Sequence, residues 1–321
     1  MGLAAKPLKI ESAKPSRGQM FFRRLPIVRS LGLNSPPYHI GSVIENRLGL
    51  QIGRAIGKQI ARKLRKSFWS PDIQKYLDVL QRDGVLAIEN FLPDEEFKNV
   101  LAEFERATEG VSLTPYKNVE NAKLYRLQLA QSASPENLSS IRKNFQENDL
   151  LNRLAAAVVR REITGKPDVL LDTYQNLNNS GIDNDIENIL HADLHVPTVK
   201  MFFYLTRTDH RNGAFIYAKG SQKLTAARLI HEYELSVREA KLRQGMRIPE
   251  QLLERRAEQV RNIVKPSNYR RLKIEETQFC VEPNTMLIAN NMGFHRRGEF
   301  HVNEPRKAIL INYRKVEKLF R

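Results

Sequence analysis

The sequence predicts an α+β fold in which a double-sheet jelly-roll core is flanked by helices and carries a helical insertion. Helical patterns alternate with short strand patterns in the first half of the chain. Longer apolar and β-branched runs dominate the second half, where one charged helical block interrupts them. Helices first and strands later, with a helical insertion between strands, favour an α+β domain with a two-sheet core.

Length, cysteine content and charge narrow the class of protein. At 321 residues the chain suits one large β-rich domain with additions, or two modest domains. Cys280 is the only cysteine, which excludes an internal disulfide and a cysteine-rich zinc module and indicates a reducing compartment. Residues 1–70 hold 14 Lys or Arg against two acids, so they carry +12 of the net charge of +16. The basic character is therefore a property of the N-terminus.

Residues 1–70 are expected to form an extension ahead of a main domain at 71–321. Residues 1–40 are polar and contain several Pro, Ser and Gly, which predicts disorder. Residues 43–68 predict a basic amphipathic helix, despite two glycines that weaken it. Its apolar residues recur every four positions and its bases recur on another face: Ile44, Leu48, Ile52, Ile56, Ile60 and Leu64 against Arg54, Lys58 and Arg62.

Two interpretations of this helix are equally favoured. The apolar face packs on the main domain and leaves the bases in solvent, or both faces together bind an anionic membrane surface. Nucleic acid is a third and unlikely partner, because the stretch has few aromatics and no recognised nucleic-acid module. The first twenty residues lack the apolar core of a secretory signal, and no apolar run approaches ~20 residues. We therefore expect a cytoplasmic protein, soluble or peripheral to the membrane.

The main domain opens with alternating helices and strands. A helix at 71–82 has Ser70 as a plausible N-cap and Gly84 after its end. The elements expected next are a strand at 85–89, a helix ending near 107, strands at 124–129 and 169–174, and helical stretches at 136–146 and 148–162.

The second half supplies most of the predicted strands. A long run at 190–205 becomes β-branched and aromatic towards its end, and 213–221 predicts a strand that ends in a tight turn. A charged helical insertion at 222–273 is broken near Gly245 and Pro249, and we expect it to cover the mouth of a pocket. Strands at 285–290 and 306–314 close the chain.

His191 and Asp193 are the first candidate metal ligands. Residues two apart in a strand share a face, so the imidazole and the carboxylate can meet the same ion. The pair alone is a weak signal, because short motifs carry a high false-positive risk. His195 shares that face and is either a rival ligand or, like Tyr204 further along the run, a residue that contacts the ligands from outside.

His295 is the preferred second histidine. It directly follows the strand at 285–290, which we expect to lie beside the His191 strand, whereas His301 is expected in a loop. Two His and one carboxylate occupy one side of an ion and leave the other side open, which suits non-haem Fe(II) oxygen chemistry. The other histidines are expected to face solvent: His39, His210 and His231.

Arg306 opens the last strand, in register with Ala308 and Leu310 rather than with Lys307, which favours an inward guanidinium. Such a group can hold a dicarboxylate through paired hydrogen bonds. Together with the iron ligands, Arg306 predicts an Fe(II)- and 2-oxoglutarate-dependent dioxygenase. The rival hypotheses are a non-catalytic jelly-roll binding protein and a membrane-surface scaffold.

The chain resembles the phytanoyl-CoA dioxygenase family over roughly residues 75–315. The matching segments are 83–96, His191-x-Asp193, Gly220-Ser221 and His295 followed by 305–309. The resemblance implies a double-stranded β-helix, Fe(II) on His191, Asp193 and His295, and 2-oxoglutarate on Arg306. It also implies hydroxylation of a small molecule or a lipid-linked substrate.

Two positions depart from the family pattern. Gln222 stands where the family usually has His, and Arg297 stands where it often has a small hydroxyl residue. Both leave the ligand set intact but alter the expected pocket contacts. Asp193 retains the carboxylate that iron halogenases vacate for chloride, so the resemblance implies hydroxylation or another oxidation rather than halogenation.

Overall fold

The fold is taken from a computed structural model, which describes residues 41–64, 70–109, 122–128, 138–160, 163, 165–176, 186–193, 198–246, 262–301 and 304–313. Residues 1–40, predicted to be disordered, lie outside these ranges. No helix among the described residues is long and apolar enough to cross a membrane.

The helices are concentrated in the first half of the chain. Short 3₁₀ turns occur at Pro71–Ile73, Ile186–Asn188 and Pro266–Asn268. The α-helices are α1 (Val43–Arg47), α2 (Leu50–Lys63), α3 (Gln74–Arg82), α4 (Asp94–Thr108), α5 (Ser139–Ile141, continued by a π-helical turn at Arg142–Gln146), α6 (Asp149–Val159), α7 (Ala226–Met246) and α8 (Tyr269–Leu272).

The strands form two antiparallel sheets. A six-stranded sheet has the order β1-β9-β5-β11-β3-β2, and a five-stranded sheet has the order β7-β4-β10-β6-β8. The strands are β1 (Val85–Ile88), β2 (Ala122–Gln128), β3 (Asp168–Asn176), β4 (His191–Ala192), β5 (Val199–Tyr204), β6 (Phe215–Ala218), β7 (Asn262–Ile263), β8 (Glu276–Phe279), β9 (Thr285–Asn290), β10 (His295–Arg297) and β11 (Arg306–Asn312). The predicted mixture of helices and paired sheets is confirmed.

The alternation of side chains along β5 shows how the sheets are packed. Val199, Met201 and Phe203 belong to the main core, where the six-stranded sheet packs on α3, α4 and α6. The opposite face of β5 carries Phe202 and Tyr204, which pack against aromatic residues of the five-stranded sheet. This inner face, enclosed between the two sheets, is where a site between them would form.

Three sequence predictions about the strands need correction. The run at 190–205 is not one strand, because β4 and β5 lie in different sheets. The strand at 285–290 pairs with β5, and the neighbour of the His191 strand is β10, which contains His295 itself. The insertion at 222–273 is not wholly helical, because β7 within it pairs with β4. Strands of two or three residues carry too little periodicity to be seen in a sequence.

The stretch predicted as a single helix at 43–68 contains two helices. Gly49 adopts a left-handed conformation with φ of 89° and separates α1 from α2. Residues 65–69 lie outside the described part of the chain.

The orientation of these two helices is the reverse of the packing interpretation. Arg54 is fully buried and Lys58 is 5% exposed, whereas Leu48 and Leu64 are more than 80% exposed. The bases face the protein, and the apolar residues that recur every four positions are exposed except for Ile52, which is half-buried.

Candidate functional site

Three side chains from the five-stranded sheet converge at its inner face. His191 in β4 lies directly opposite His295 in β10, and residues paired in this way project on the same side of a sheet. Oδ1 of Asp193, just after β4, lies 3.7 Å from Nε2 of His191 and 3.8 Å from Nε2 of His295. Strand pairing therefore assembles a buried cluster that could hold a metal ion.

Each histidine of the cluster has its ring orientation and its tautomer fixed by a backbone carbonyl. Nδ1 of His191 lies 2.6 Å from the Ile189 oxygen, and Nδ1 of His295 lies 3.0 Å from the Gly293 oxygen. A carbonyl oxygen only accepts, so Nδ1 carries the proton and donates it. The lone pair of each ring is then on Nε2, the atom that would bind an ion, an arrangement typical of metal-ligating histidines.

The surroundings of His295 keep its imidazole neutral. Burial lowers its pKa, while the nearby Asp193 carboxylate acts in the opposite direction. The ring stacks near Phe215 and Tyr217, at centroid distances of 5.6 Å and 6.4 Å. Gly293 is required behind it, because a Cβ there would overlap the Tyr217 ring. A neutral imidazole in a rigid aromatic wall suits metal binding.

Lys200 is a part of the site that sequence reasoning missed. Its Nζ reaches from β5 across the space between the sheets to Oδ2 of Asp193, at 2.5 Å. Both side chains are largely buried, with 13% and 8% exposed. The Lys200 ammonium binds Oδ2 of Asp193, while Oδ1 of Asp193 lies towards the two histidines. The sequence feature that could have identified Lys200 is a single charged residue in an otherwise apolar and aromatic strand, at a position that faces inwards.

The donor set fits a divalent transition metal. Two imidazole nitrogens and one carboxylate oxygen converge from one side, and this combination is the one associated with non-haem Fe(II) sites that keep open positions. Among the described residues this is the one group of three or more potential ligands close enough together for a single ion.

Arg306 lies where the sequence predicted, at the start of β11 with its side chain on the inner face. The residue is partly exposed by surface area, but its guanidinium is enclosed enough for burial to lower its pKa. Nη1 donates to the Gly213 carbonyl, and the guanidinium carbon lies 5.5 Å from the centre of the Tyr174 ring. Tyr204, predicted to contact the ligands from outside, lies close enough to Arg306 for that charge to act on its pKa.

Arg297 joins Arg306 from the opposite sheet. Its guanidinium carbon lies 4.2 Å from the centre of the same Tyr174 ring, and Nη2 donates to Oδ1 of Asn188 at 3.0 Å. The two guanidinium charges are near enough for Arg297 to contribute to the lowered pKa of Arg306. Two cations against one aromatic ring make this region attractive to an anion.

The inner face of the six-stranded sheet presents a polar row beside the cluster. Asn312 is paired in register with Lys200 on one side and with Asp168 on the other. Oδ1 of Asn312 is buried and has no hydrogen-bond partner among the described residues. Four residues further along β3 from Asp168, Asp172 forms a paired salt bridge with Arg126 of β2 at 2.6 Å. The wall of this space is therefore partly polar and charged.

The remaining histidines divide differently from the prediction. His301 is exposed and pairs with Glu299 at 2.6 Å, and His210 is also exposed. His231 is buried and packs edge-on against Phe294, which contradicts its predicted exposure. His195 and His39 lie outside the described residues.

Gln222, the other departure from the family pattern, has a structural contact. Its amide donates to the Gln81 carbonyl at the end of α3, at 3.0 Å. It thereby ties the turn after β6 to the helix that precedes β1.

No family model and no curated protein sequence matches the chain. Solved structures do match. The epimerase SnoN in complex with Fe3+, alpha ketoglutarate and nogalamycin RO is 12% identical, with 75% of this chain and 82% of that chain covered and a TM-score of 0.50. EctD from S. alaskensis is also similar, with 12% identity, 78% of this chain and 80% of that chain covered, and a TM-score of 0.49. HygX from Streptomyces hygroscopicus with nickel and 2-oxoglutarate bound has 16% identity, covers 74% of this chain and 85% of that chain, and has a TM-score of 0.46. At these identities the similarity to SnoN shows a shared fold alone.

Proposed function

We propose that this chain is an Fe(II)- and 2-oxoglutarate-dependent oxygenase with His191, Asp193 and His295 as its iron ligands. The observation that carries the proposal is the convergence of two imidazole Nε2 atoms on one carboxylate oxygen between two sheets. Both Nδ1 atoms donate to backbone carbonyls, so the Nε2 atom of each ring carries the lone pair, and both Nε2 atoms lie within 4 Å of Oδ1 of Asp193. Among common metals, iron is favoured by this ligand set with open positions.

The fold supports the same proposal. The two antiparallel sheets that face one another across the cluster are interpreted as a double-stranded β-helix, as in the phytanoyl-CoA dioxygenase family. SnoN, which shares the fold, was solved in complex with Fe3+ and alpha ketoglutarate. Membership of the phytanoyl-CoA dioxygenase family is part of the proposal and rests on the motifs in the sequence.

Arg306 is proposed to bind the distal carboxylate of 2-oxoglutarate. The site lies on the inner face of β11, and Tyr174 and Arg297 form the rest of its wall. A guanidinium offers two parallel N–H donors, which match a carboxylate better than a single ammonium does. Because Nη1 of Arg306 already donates to the Gly213 carbonyl, this hydrogen bond holds the guanidinium in place before the cosubstrate binds.

The protein's own residues are responsible for geometry and enclosure. Bound iron with 2-oxoglutarate supplies the oxidising chemistry. Lys200 holds one oxygen of Asp193 and so keeps the other directed at the histidines. Phe202, Phe215 and Tyr217 form an aromatic wall beside His295 that limits the entry of water.

The substrate is proposed to be a small molecule, or the head group of a lipid, that is polar where it enters the site. Beside the polar row of Lys200, Asn312 and Asp168, an acyl chain would cover the Asn312 oxygen, which has no hydrogen-bond partner among the described residues, at a cost in desolvation. A substrate that donates a hydrogen bond to Asn312 avoids that cost. Hydroxylation is the proposed reaction.

Iron-dependent release of succinate from 2-oxoglutarate tests the proposal. The wild-type chain should turn over 2-oxoglutarate when Fe(II) is added, at a higher rate with an accepted substrate from a panel of polar small molecules. His295→Ala should abolish this turnover. His301→Ala is the matched control, because that histidine is exposed and pairs with Glu299. Equal turnover in the two variants would reject the ligand set. No turnover in the wild type under any condition would favour the non-catalytic binding protein.

A further inference from the structure

We infer that the outward aliphatic row of α1 and α2 is a docking surface for an anionic lipid membrane. We define the aliphatic row as Ile44, Leu48, Ile56, Ile60 and Leu64. The inference does not depend on the proposed catalytic function, because it concerns another surface of the protein.

The aliphatic row contains most of the exposed large hydrophobic residues among those described. Its members are between 39% and 83% exposed. They are five of the seven large hydrophobic residues that are exposed in the described ranges, and Ile230, a sixth, lies on α7, against which α1 and α2 pack. A concentration of aliphatic side chains in two short helices is unlike the scattered exposed hydrophobics of an ordinary surface.

Polar contacts fix this orientation of the helices. Nε and Nη2 of Arg62 donate to the Val158 carbonyl at the end of α6, at 3.1 Å and 2.8 Å. Gln59 contacts the Met292 sulfur at 3.5 Å, and Arg54 and Lys58 are buried beneath α2. Turning the aliphatic row inwards would break these contacts and carry two buried bases to the other side. The row is therefore an outer surface of the assembled domain.

The charge around the aliphatic row favours an anionic partner. Arg47 and Lys63 are exposed near its two ends. The acid within it, Glu45, is occupied by the capping box, where it accepts from the Ser42 backbone at 2.7 Å. Residues 1–70 carry +12 in total. Each base near an anionic membrane contributes about 1 kcal/mol, and this attraction falls off within a Debye length.

The composition favours lipid over a protein partner. Residues 41–64 contain no aromatic residue, whereas the dominant residues of protein interfaces are Trp, Tyr and Arg. An aliphatic face with flanking bases is typical of helices that lie in the membrane interface, with the apolar side chains inserted ~5–10 Å below the head groups.

Vesicle co-sedimentation with the full-length chain tests the inference. The probes are phosphatidylcholine vesicles with and without about a third phosphatidylglycerol. We expect binding to the anionic vesicles and little to the neutral ones, because both charge and apolar insertion contribute. The double variant Ile56→Ser, Ile60→Ser should lower the apparent affinity at least tenfold. The double variant Ile56→Leu, Ile60→Leu is the matched control, since it keeps the apolar surface and should bind as the wild type does.

Three outcomes would overturn the inference. The wild-type chain fails to sediment with anionic vesicles. Alternatively, the serine variant binds as well as the wild type and high salt releases both, which would assign binding to basic residues outside the aliphatic row. Thirdly, gel filtration shows that the wild type is an oligomer and the serine variant a monomer, and neither binds vesicles, which would assign the aliphatic row to contact with a second copy of the chain.

An unchanged melting temperature in both variants shows that the changes act on binding and not on folding.

Discussion

The cluster at His191 and the helix pair α1–α2 both place charged side chains inside the protein, but they do so in opposite ways. At the cluster, strand pairing brings a few polar atoms together. Hydrogen bonds that the histidines donate to the Ile189 and Gly293 carbonyls, and one that Lys200 donates to Asp193, orient these atoms. In the helix pair, buried bases lie beneath an aliphatic row that remains outside. A side-chain period identifies which residues share a face, but it does not reveal which face turns inwards. Side chains that bind one ion must all turn towards the same point, whereas an amphipathic helix can turn either its apolar or its basic face towards the protein.

The largest expected effect concerns catalysis. His191→Ala should reduce iron-dependent succinate release by roughly 1,000-fold or more, equivalent to about 4 kcal/mol, because the ion loses one of three protein ligands. Ile60→Ser should leave the rate within a factor of about two, since the aliphatic row lies on a separate surface. Steady-state turnover of the two variants measures the contrast. A comparable loss in both would show that the helix pair is part of the catalytic unit.

The next prediction compares how much a buried residue of the sheets and an exposed residue of the aliphatic row contribute to the free energy of unfolding. Ile309 in β11 is fully buried, and Ile309→Ala should lower the free energy of unfolding by about 2–5 kcal/mol. Ile60 is 54% exposed, and Ile60→Ala should change it by no more than ~0.5 kcal/mol. Urea unfolding of both variants provides the comparison. A cost at Ile60 as large as that at Ile309 would mean that another part of the chain covers the aliphatic row.

An intermediate effect is expected at the two arginines beside Tyr174, Arg306 and Arg297. Arg306→Lys keeps a point charge but loses the paired donors, so the KM for 2-oxoglutarate should rise about 10- to 100-fold while Fe(II) affinity is unchanged. Arg297→Lys should raise that KM by a smaller factor, because its Nη2 already donates to Asn188. Measuring KM for 2-oxoglutarate at saturating Fe(II) ranks the two. A larger rise at Arg297 would reverse their assigned roles.

The smallest catalytic effect is expected at Lys200. Lys200→Met removes the cation from Oδ2 of Asp193, and loss of a contact that orients a ligand typically weakens metal affinity or activity ~10-fold or more. Lys200→Arg should restore much of the affinity, because it retains a donor to that oxygen. Equilibrium titration with Fe(II) distinguishes the variants. If Lys200→Met binds Fe(II) as the wild type does, Lys200 does not position Asp193.

Much of the fold and the three cluster residues could be predicted from the sequence. Helices and strands of four or more residues show their period locally, and His-x-Asp in an extended segment places two side chains on one face. The short strands β4, β7 and β10 are defined by their partners, so their pairing was missed, and with it the true neighbour of the His191 strand. Lys200 and Arg297 acquire their positions only when the two sheets face one another. The inversion of α2 depends on contacts with Val158 and Met292, far away in the sequence.

Anaerobic titration of the chain with Fe(II) and 2-oxoglutarate tests the central claim most directly. We predict a visible charge-transfer absorption that requires both additions, saturates at one iron per chain and is absent in Asp193→Ala. Arg306→Ala should shift the 2-oxoglutarate dependence of the absorption to higher concentration without changing its iron stoichiometry. A folded wild-type chain that shows no such absorption, or an absorption that persists unchanged in Asp193→Ala, would contradict the assignment of the cluster as an iron and 2-oxoglutarate site.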